Sequence, residues 1–192
     1  MPSYADEWTV EAARARYFEA NNFAPDGGYD ADWVRFKVGP FPVIFPNTAG
    51  RKAAVPLHDL HHLATAYDTN LVGEAEIGAW EIASGCFQVR AAWILNMLVQ
   101  WPVIFFALPR AYRAFVRGRH SRNLYDGPFS EPMLKKYVGE LREDLGLDAP
   151  TREATTADKL AFVRFLATAI AIQIVIAIVF FGVPAWWLGA FD

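Results

Sequence analysis

The sequence predicts an all-α protein, a helical bundle that continues into a C-terminal transmembrane helix. Three observations support this fold class. Apolar residues recur every three to four positions in residues 8–21 and again in residues 132–146. Two helical segments around residues 57–85 are separated by the turn-forming residues 67–70, the pattern of a helical hairpin. Two long apolar runs follow, at residues 91–108 and 165–188.

The length and composition predict one helical domain with a membrane appendage. We expect the domain over residues 1–150, a linker and helix start over 151–164, and the span over 165–188. The 192 residues are 54% hydrophobic with a mean hydropathy of +0.13, which is rich for a soluble protein. A net charge of −3 argues against nucleic acid as a partner. The single cysteine, Cys86, excludes an intrachain disulfide and a cysteine-based zinc site.

The segments before the hairpin are predicted from local signals. Residues 8–21 form the first helix, with Thr9 as its cap. Residues 33–38 alternate apolar and basic side chains and are expected to be extended. Residues 39–46 contain three prolines, so we expect irregular chain whose apolar side chains pack over the hairpin or line a lipid entrance. A short helix over 48–54 then leads to Pro56, a good first-turn residue for the next helix.

The hairpin carries side chains that can bind a metal ion. His58 and His62 are four residues apart, so a helix places both imidazoles on one face, with Asp59 beside them. Asn70 is a plausible N-cap for the second helix and puts Glu74 in its first turn, where it can face His62. The alternative is a surface helix with two incidental histidines, and we favour the metal site because Asp59 and Glu74 accompany them.

The predicted ligands are therefore His58, Asp59, His62 and Glu74. Two imidazoles and two carboxylates suit a divalent metal, with zinc expected and iron, manganese or magnesium left open. Glu81 lies seven residues after Glu74 on the same helical face and is a candidate partner behind the ligands or an acid–base group.

The same residues resemble a known family. His58-Asp59-Leu60-His61-His62 and Glu74 match, position for position, the HDxxH-x11-E signature of the fourth Coq protein of ubiquinone biosynthesis. The resemblance covers residues 10–90 well and residues 130–147 loosely. It implies an all-helical, membrane-associated protein that binds a divalent metal and a prenylated lipid. It also implies a role in oxidative removal of the ring carboxyl of the quinone precursor, or in organising the biosynthetic enzymes.

The apolar runs predict where the protein lies in the cell. Residues 91–108 are near the lower length limit for a span, and we expect a membrane-embedded or re-entrant hydrophobic helix. Five arginines follow within residues 110–122 and mark the cytoplasmic side. Residues 165–188 are long enough to cross, with Lys159 and Arg164 on the near side. We expect no signal peptide, because residues 1–7 are polar and acidic. We therefore expect the inner (cytoplasmic) membrane, with the N-terminal domain on the cytoplasmic side.

Two function hypotheses follow from these patterns together with what the family resemblance implies. The first is a metalloenzyme, such as a decarboxylase or hydroxylase, acting on the ring of a membrane-held prenylated quinone precursor. The second is a non-catalytic lipid- or quinone-binding accessory subunit of a larger membrane complex. Membrane desaturases need more histidines than the four present, and a phosphohydrolase of the His-Asp type needs a histidine before His58, where the sequence has none. The chain also lacks a GxSxG nucleophile elbow.

Overall fold

The computed structural model describes residues 4–38, 41–101, 103–150 and 152–179, which are mostly helical. These residues form the helices α1 (Val10–Ala20), α2 (Ala49–Thr65), α3 (Leu71–Ser84), α4 (Arg90–Leu98), α5 (Leu108–Arg119), α6 (Pro132–Lys135), α7 (Val138–Leu145) and α8 (Thr156–Ala177). A 3-10 turn (Cys86–Gln88) precedes α4, and a π-helical turn (Val103–Ala107) precedes α5. The predicted helical class is confirmed, with one β-hairpin added to it.

The β-hairpin corrects one sequence prediction. Strand β1 (Trp33–Val38) is extended as expected, and β2 (Phe41–Pro46) pairs with it in antiparallel register. The expectation of irregular chain over 39–46 is therefore wrong for residues 41–46, whereas Gly39 and Pro40 lie outside the described residues. Prolines are compatible with this sheet because each strand of a two-stranded hairpin keeps one open edge, where a missing N–H costs no ladder hydrogen bond.

Helix α2 is longer than predicted at its N-terminal end. The short helix expected over 48–54 continues without interruption into the motif helix, so Pro56 lies inside α2 and not in its first turn. The N-cap is Thr48, whose hydroxyl accepts a hydrogen bond from the N–H of Arg51. By contrast, α1 begins as predicted, with the Thr9 hydroxyl accepting from the N–H of Ala12.

Helix α3 is the centre of the bundle and packs most closely on α5. Its Trp80 is fully buried, and Gly118 of α5 lies against the Trp80 backbone. A Cβ atom on Gly118 would stand 2.4 Å from the Trp80 carbonyl oxygen. The absence of a side chain at Gly118 therefore sets the distance between α3 and α5. As a result, α5 packs closely along the helix that carries Glu74.

The apolar run over 91–108 is not one continuous helix. Helix α4 ends at Leu98, the π-helical turn begins at Val103, and α5 starts at Leu108. Asn96 and Gln100 in this run are buried and bind groups of α3. The single hydrophobic helix predicted here is therefore divided, and its polar side chains are used inside the domain.

Among the described residues, the side chains of three of the five arginines after residue 108 bind groups of neighbouring helices. Arg110 forms a two-point ion pair with Glu76, Arg117 donates to the carbonyl of Thr65, and Arg119 bonds the carboxylate of Asp158. These side chains join α5 to α3, α2 and α8, in addition to any effect of their charge on the orientation of the chain in a membrane.

Helix α8 is long and apolar enough to cross a membrane. It has 22 residues, and only 17% of its most apolar window is buried. One side packs on α5, where Phe162 and Phe165 contact Phe115 at ring distances of 5.5 and 5.1 Å. The helix begins at Thr156, nine residues before the predicted span, and residues 180–188 of that prediction lie outside the described residues.

We predict that Gly118→Ala destabilises the protein by about 2 kcal/mol, because the added methyl group forces α3 and α5 apart. Gly127→Ala is the matched control, since its Cβ would meet nothing within 4 Å. Chemical unfolding of the full chain in detergent micelles, followed by circular dichroism, measures both. Equal stabilities for the two variants would contradict the close packing of α3 on α5.

Candidate metal centre

The turn between α2 and α3 places the predicted ligands side by side. Helix α2 ends at Thr65, the next residue Ala66 adopts a left-handed conformation (φ 60°), and α3 starts after Asn70. The Asn70 side chain accepts hydrogen bonds from the N–H groups of Val72 and Gly73, so the predicted N-cap is confirmed. A Cβ on Gly73 would lie 2.1 Å from the Asp68 carbonyl oxygen. Only glycine lets the turn fold this tightly against the first turn of α3.

His58, His62 and Glu74 are brought together as the sequence predicts. The Nε2 atoms of His58 and His62 are 3.2 Å apart. One Glu74 oxygen lies 3.4 Å from His58 Nε2, and the other lies 3.3 Å from His62 Nε2. The potential ligand atoms all lie within 4.8 Å of one another, so these three residues could hold a metal ion.

Hydrogen bonds on the far side of each ring determine which nitrogen faces the cluster. His62 Nδ1 is 3.0 Å from the carbonyl oxygen of Tyr67, which can only accept, so Nδ1 carries the proton. His58 Nδ1 is 2.8 Å from Glu81 Oε1, and the same argument applies to it. In a neutral imidazole the other nitrogen is then an acceptor. Both Nε2 lone pairs therefore point toward one another and toward the Glu74 carboxylate.

Such a group of acceptors needs a cation at its centre. In the metal-free protein that cation is a proton. Burial alone lowers the pKa of His58, but the Glu81 and Glu74 carboxylates outweigh burial and hold this pKa well above its usual value. Burial would raise the pKa of Glu74, but hydrogen bonds from His58 and His62 lower it to about 2. Glu74 is thus ionised at neutral pH and available to a metal.

Asp59 has a different environment from the other predicted ligands. Its carboxylate accepts hydrogen bonds from the hydroxyl groups of Tyr17, at 3.3 Å, and Tyr29, at 2.7 Å. Burial raises the pKa of Asp59. The ring of Tyr17 also stacks against His62, with 5.7 Å between ring centroids. Asp59 thus joins α2 to the N-terminal segments, and its role as a ligand stays a prediction.

Glu81 is fully buried behind the cluster, where the sequence placed a candidate supporting residue. Besides His58, its Oε1 lies 2.6 Å from His61 Nδ1. His61 Nε2 accepts the backbone N–H of Leu124 at 2.9 Å, so both nitrogens of this third histidine are used. Burial opposes ionisation of Glu81, but His58 and His61 hold its pKa well below the usual value. The site therefore contains a second fixed negative charge.

Sequence reasoning missed several residues around the site. Glu76 on α3 is buried and paired with Arg110, and no local pattern indicates that pair. Tyr17 and Tyr29 lie on segments far from the motif along the chain, and no local pattern links them to it. His61 carried a usable signal, because a histidine three residues after His58 falls on a neighbouring part of the same helical surface.

The arrangement has the features of a metal site with partial access. His62 is buried, whereas the side chains of His58 and Glu74 are 20% and 30% exposed. Two imidazoles and a carboxylate suit zinc or iron, and three protein ligands leave at least one position for another molecule. A metal held there would polarise a bound oxygen atom as a Lewis acid.

We predict that metal binding releases protons and weakens as the pH is lowered. The raised pKa of His58 keeps Nε2 protonated at neutral pH, and this proton must leave before Nε2 can bind a metal. Apparent affinity for Zn²⁺ should therefore rise with pH until that pKa is passed. Calorimetric titration in buffers of different ionisation enthalpy measures the protons released. Histidine ordinarily titrates between about pH 6 and 8. Zn²⁺ binding that does not change with the buffer or with pH over that range would contradict this account.

Comparison with protein-family models, with curated proteins and with solved structures found no match for this chain. The family resemblance therefore rests on the motif residues themselves. Three of those residues, His58, His62 and Glu74, lie close together in the structure.

Proposed function

We propose that this chain is a membrane-associated metal-binding protein that binds, or acts on the ring of, a prenylated quinone intermediate. The observation that carries the proposal is the opposed pair of histidine Nε2 atoms, 3.2 Å apart beside Glu74. Their outer nitrogens bond a carboxylate and a backbone carbonyl, the arrangement found behind metal-binding histidines.

The charge of the site supports a divalent ion. Glu74 and Glu81 are both ionised near neutral pH, so two negative charges lie in a mostly buried region. A dication balances both charges, whereas the proton on His58 balances only one of them. Nitrogen ligands favour zinc or iron, with manganese as the next choice, and magnesium is disfavoured because it prefers oxygen ligands alone.

The exposed apolar surface supports association with a membrane. Leu160, Val163 and Val175 of α8 are each more than half exposed, as are Phe105 and Phe106 in the π-helical turn. A soluble bundle would leave this surface in water at a high cost, and a bilayer covers it. We propose that α8 spans the inner membrane, with the bundle on the cytoplasmic side because Lys159 and Arg164 flank its apolar part.

The position of α4 supports a lipid-borne ligand. At the C-terminal end of α4, Gln173 of α8 donates to the carbonyls of Met97 and Leu98. Beyond that end, Gln100 bonds the carbonyl of Ala75, the residue after Glu74. The candidate metal site therefore lies beside the segment that contacts the membrane helix. A ring attached to a prenyl chain could reach the metal while its tail stays in the bilayer.

The role of Asp59 separates the enzyme from the accessory subunit. If Asp59 leaves its two tyrosines to become a fourth protein ligand, the tetrahedral sphere is closed and the metal is structural. With Asp59 held by Tyr17 and Tyr29, one position stays open to substrate. We favour the enzyme because the tyrosine bonds are present, and the accessory subunit of a larger complex is the second candidate.

We predict that His62→Ala and Glu74→Gln each lower metal content of the purified full chain by at least tenfold, because each removes one of three ligands. Glu76→Gln is the control, since it changes the same residue type on α3 but faces Arg110. Elemental analysis after purification in detergent measures the metal. If all three variants retain as much metal as the wild type, the site is not a metal centre.

We predict that a prenylated quinone or its ring precursor copurifies with the protein, and that His62→Ala slows quinone synthesis in cells that depend on this chain. Solvent extraction with mass spectrometry identifies the lipid, and isotope incorporation gives the rate. Normal synthesis by His62→Ala with loss of a membrane complex would favour the accessory subunit over the enzyme.

A further inference from the structure

Asn96 of α4 is a buried amide that is joined to the candidate ligand His58 through one intervening residue, Glu81. Its side-chain nitrogen is 2.6 Å from Glu81 Oε2. The nitrogen must face the carboxylate, because an ionised carboxylate can only accept hydrogen bonds. The other oxygen of Glu81 accepts from Nδ1 of His58 at 2.8 Å. Hydrogen bonds therefore link Asn96 on α4, through the Glu81 carboxylate, to the His58 ring, which faces the candidate metal position.

The Glu81 carboxylate needs donors on both oxygens to hold its plane. The last torsion of a glutamate side chain is soft, so donors on one oxygen alone leave the group free to turn. His58 and His61 bond Oε1, while Asn96 and the hydroxyl of Tyr125, at 3.0 Å, bond Oε2. Without Asn96, Oε2 keeps a single donor from a loop residue, and the direction of Oε1 toward His58 is less fixed.

Asn96 itself is held in place by the packing of α4 against α3 and α8. The space beside its amide oxygen is left by Gly78, where a Cβ would stand 3.3 Å from Oδ1. Within a turn of Asn96, Gln173 of α8 donates to the carbonyls of Met97 at 3.0 Å and Leu98 at 3.2 Å. The position of α4, and with it that of Asn96, depends on how α8 is docked.

We propose that Asn96 is a positioning residue for the metal centre and that it couples the centre to the membrane-facing pair α4–α8. Asn96 orients Glu81, Glu81 keeps the proton on His58 Nδ1, and His58 presents Nε2 to the metal. The inference rests on the proposed metal site. It goes beyond that site because it assigns metal affinity to a residue on a different helix and to the docking of α8.

The first test compares Asn96→Leu with Gln100→Leu in the full chain in detergent micelles. Gln100 is the matched control because it is an equally buried amide, two residues beyond the end of α4, that has no hydrogen bond to Glu81. Loss of a partner behind a metal-binding histidine typically lowers affinity about 10- to 100-fold. We expect a loss of about tenfold in Co²⁺ affinity for Asn96→Leu, with a shifted Co²⁺ absorption spectrum. Gln100→Leu should keep the wild-type spectrum and affinity.

Two further variants keep the test decisive if Asn96→Leu fails to fold. Asn96→Asp has the same shape but replaces the donor with a second carboxyl group, so it should lower Co²⁺ affinity while helix content is retained. Gln173→Leu should lower affinity in the same direction by a smaller factor, because it loosens α8 from α4.

The outcomes separate this inference from the proposed function. A wild-type protein that binds no metal overturns the metal site itself. Wild-type binding with unchanged affinity and spectrum in folded Asn96→Leu or Asn96→Asp overturns the positioning role alone, as does an equal loss in Gln100→Leu. Unchanged affinity in Gln173→Leu overturns the coupling to α8.

Discussion

The rest of the site depends on the hydrogen bonds that the Glu81 carboxylate accepts. A buried negative charge is unfavourable unless it is paired and hydrogen-bonded, and Glu81 meets this requirement with donors from α2, α4 and the loop that carries Tyr125. The same bonds assign the proton of His58 to Nδ1. One carboxylate thus brings three parts of the chain together and decides which nitrogen faces the candidate metal position.

The bundle attaches to its apolar helix at two levels. At the start of α8, Asp158 caps the helix and bonds Arg119 and His120 at the end of α5. Near the other end of the described part of α8, four residues before Ala177, Gln173 bonds the end of α4. Because both attachments lie on one side, the opposite apolar surface is left exposed. Arg119 and His120 serve the first attachment, so their position in the sequence reflects packing as well as any topological signal.

The parts of the fold that the sequence predicted well are those governed by local interactions. The caps at Thr9 and Asn70 depend on a side chain bonding backbone groups two or three residues away. The convergence of His58 and His62 follows from helical spacing, and Glu74 joins them because a short turn after α2 leaves little freedom. These features need no partner from elsewhere in the chain. The local pattern therefore fixed the candidate ligands, together with the apolar character of α8.

Only the tertiary structure decided the features that depend on distant partners. Strand β2 forms because β1 lies beside it, and local proline content cannot reveal that partner. The apolar run of residues 91–108 is divided because Asn96 and Gln100 bond α3. Asp59 meets Tyr17 and Tyr29, 42 and 30 residues earlier in the chain. The environment of each buried polar group is set by whichever donors the fold brings to it, and these donors come from separate elements that only packing places together.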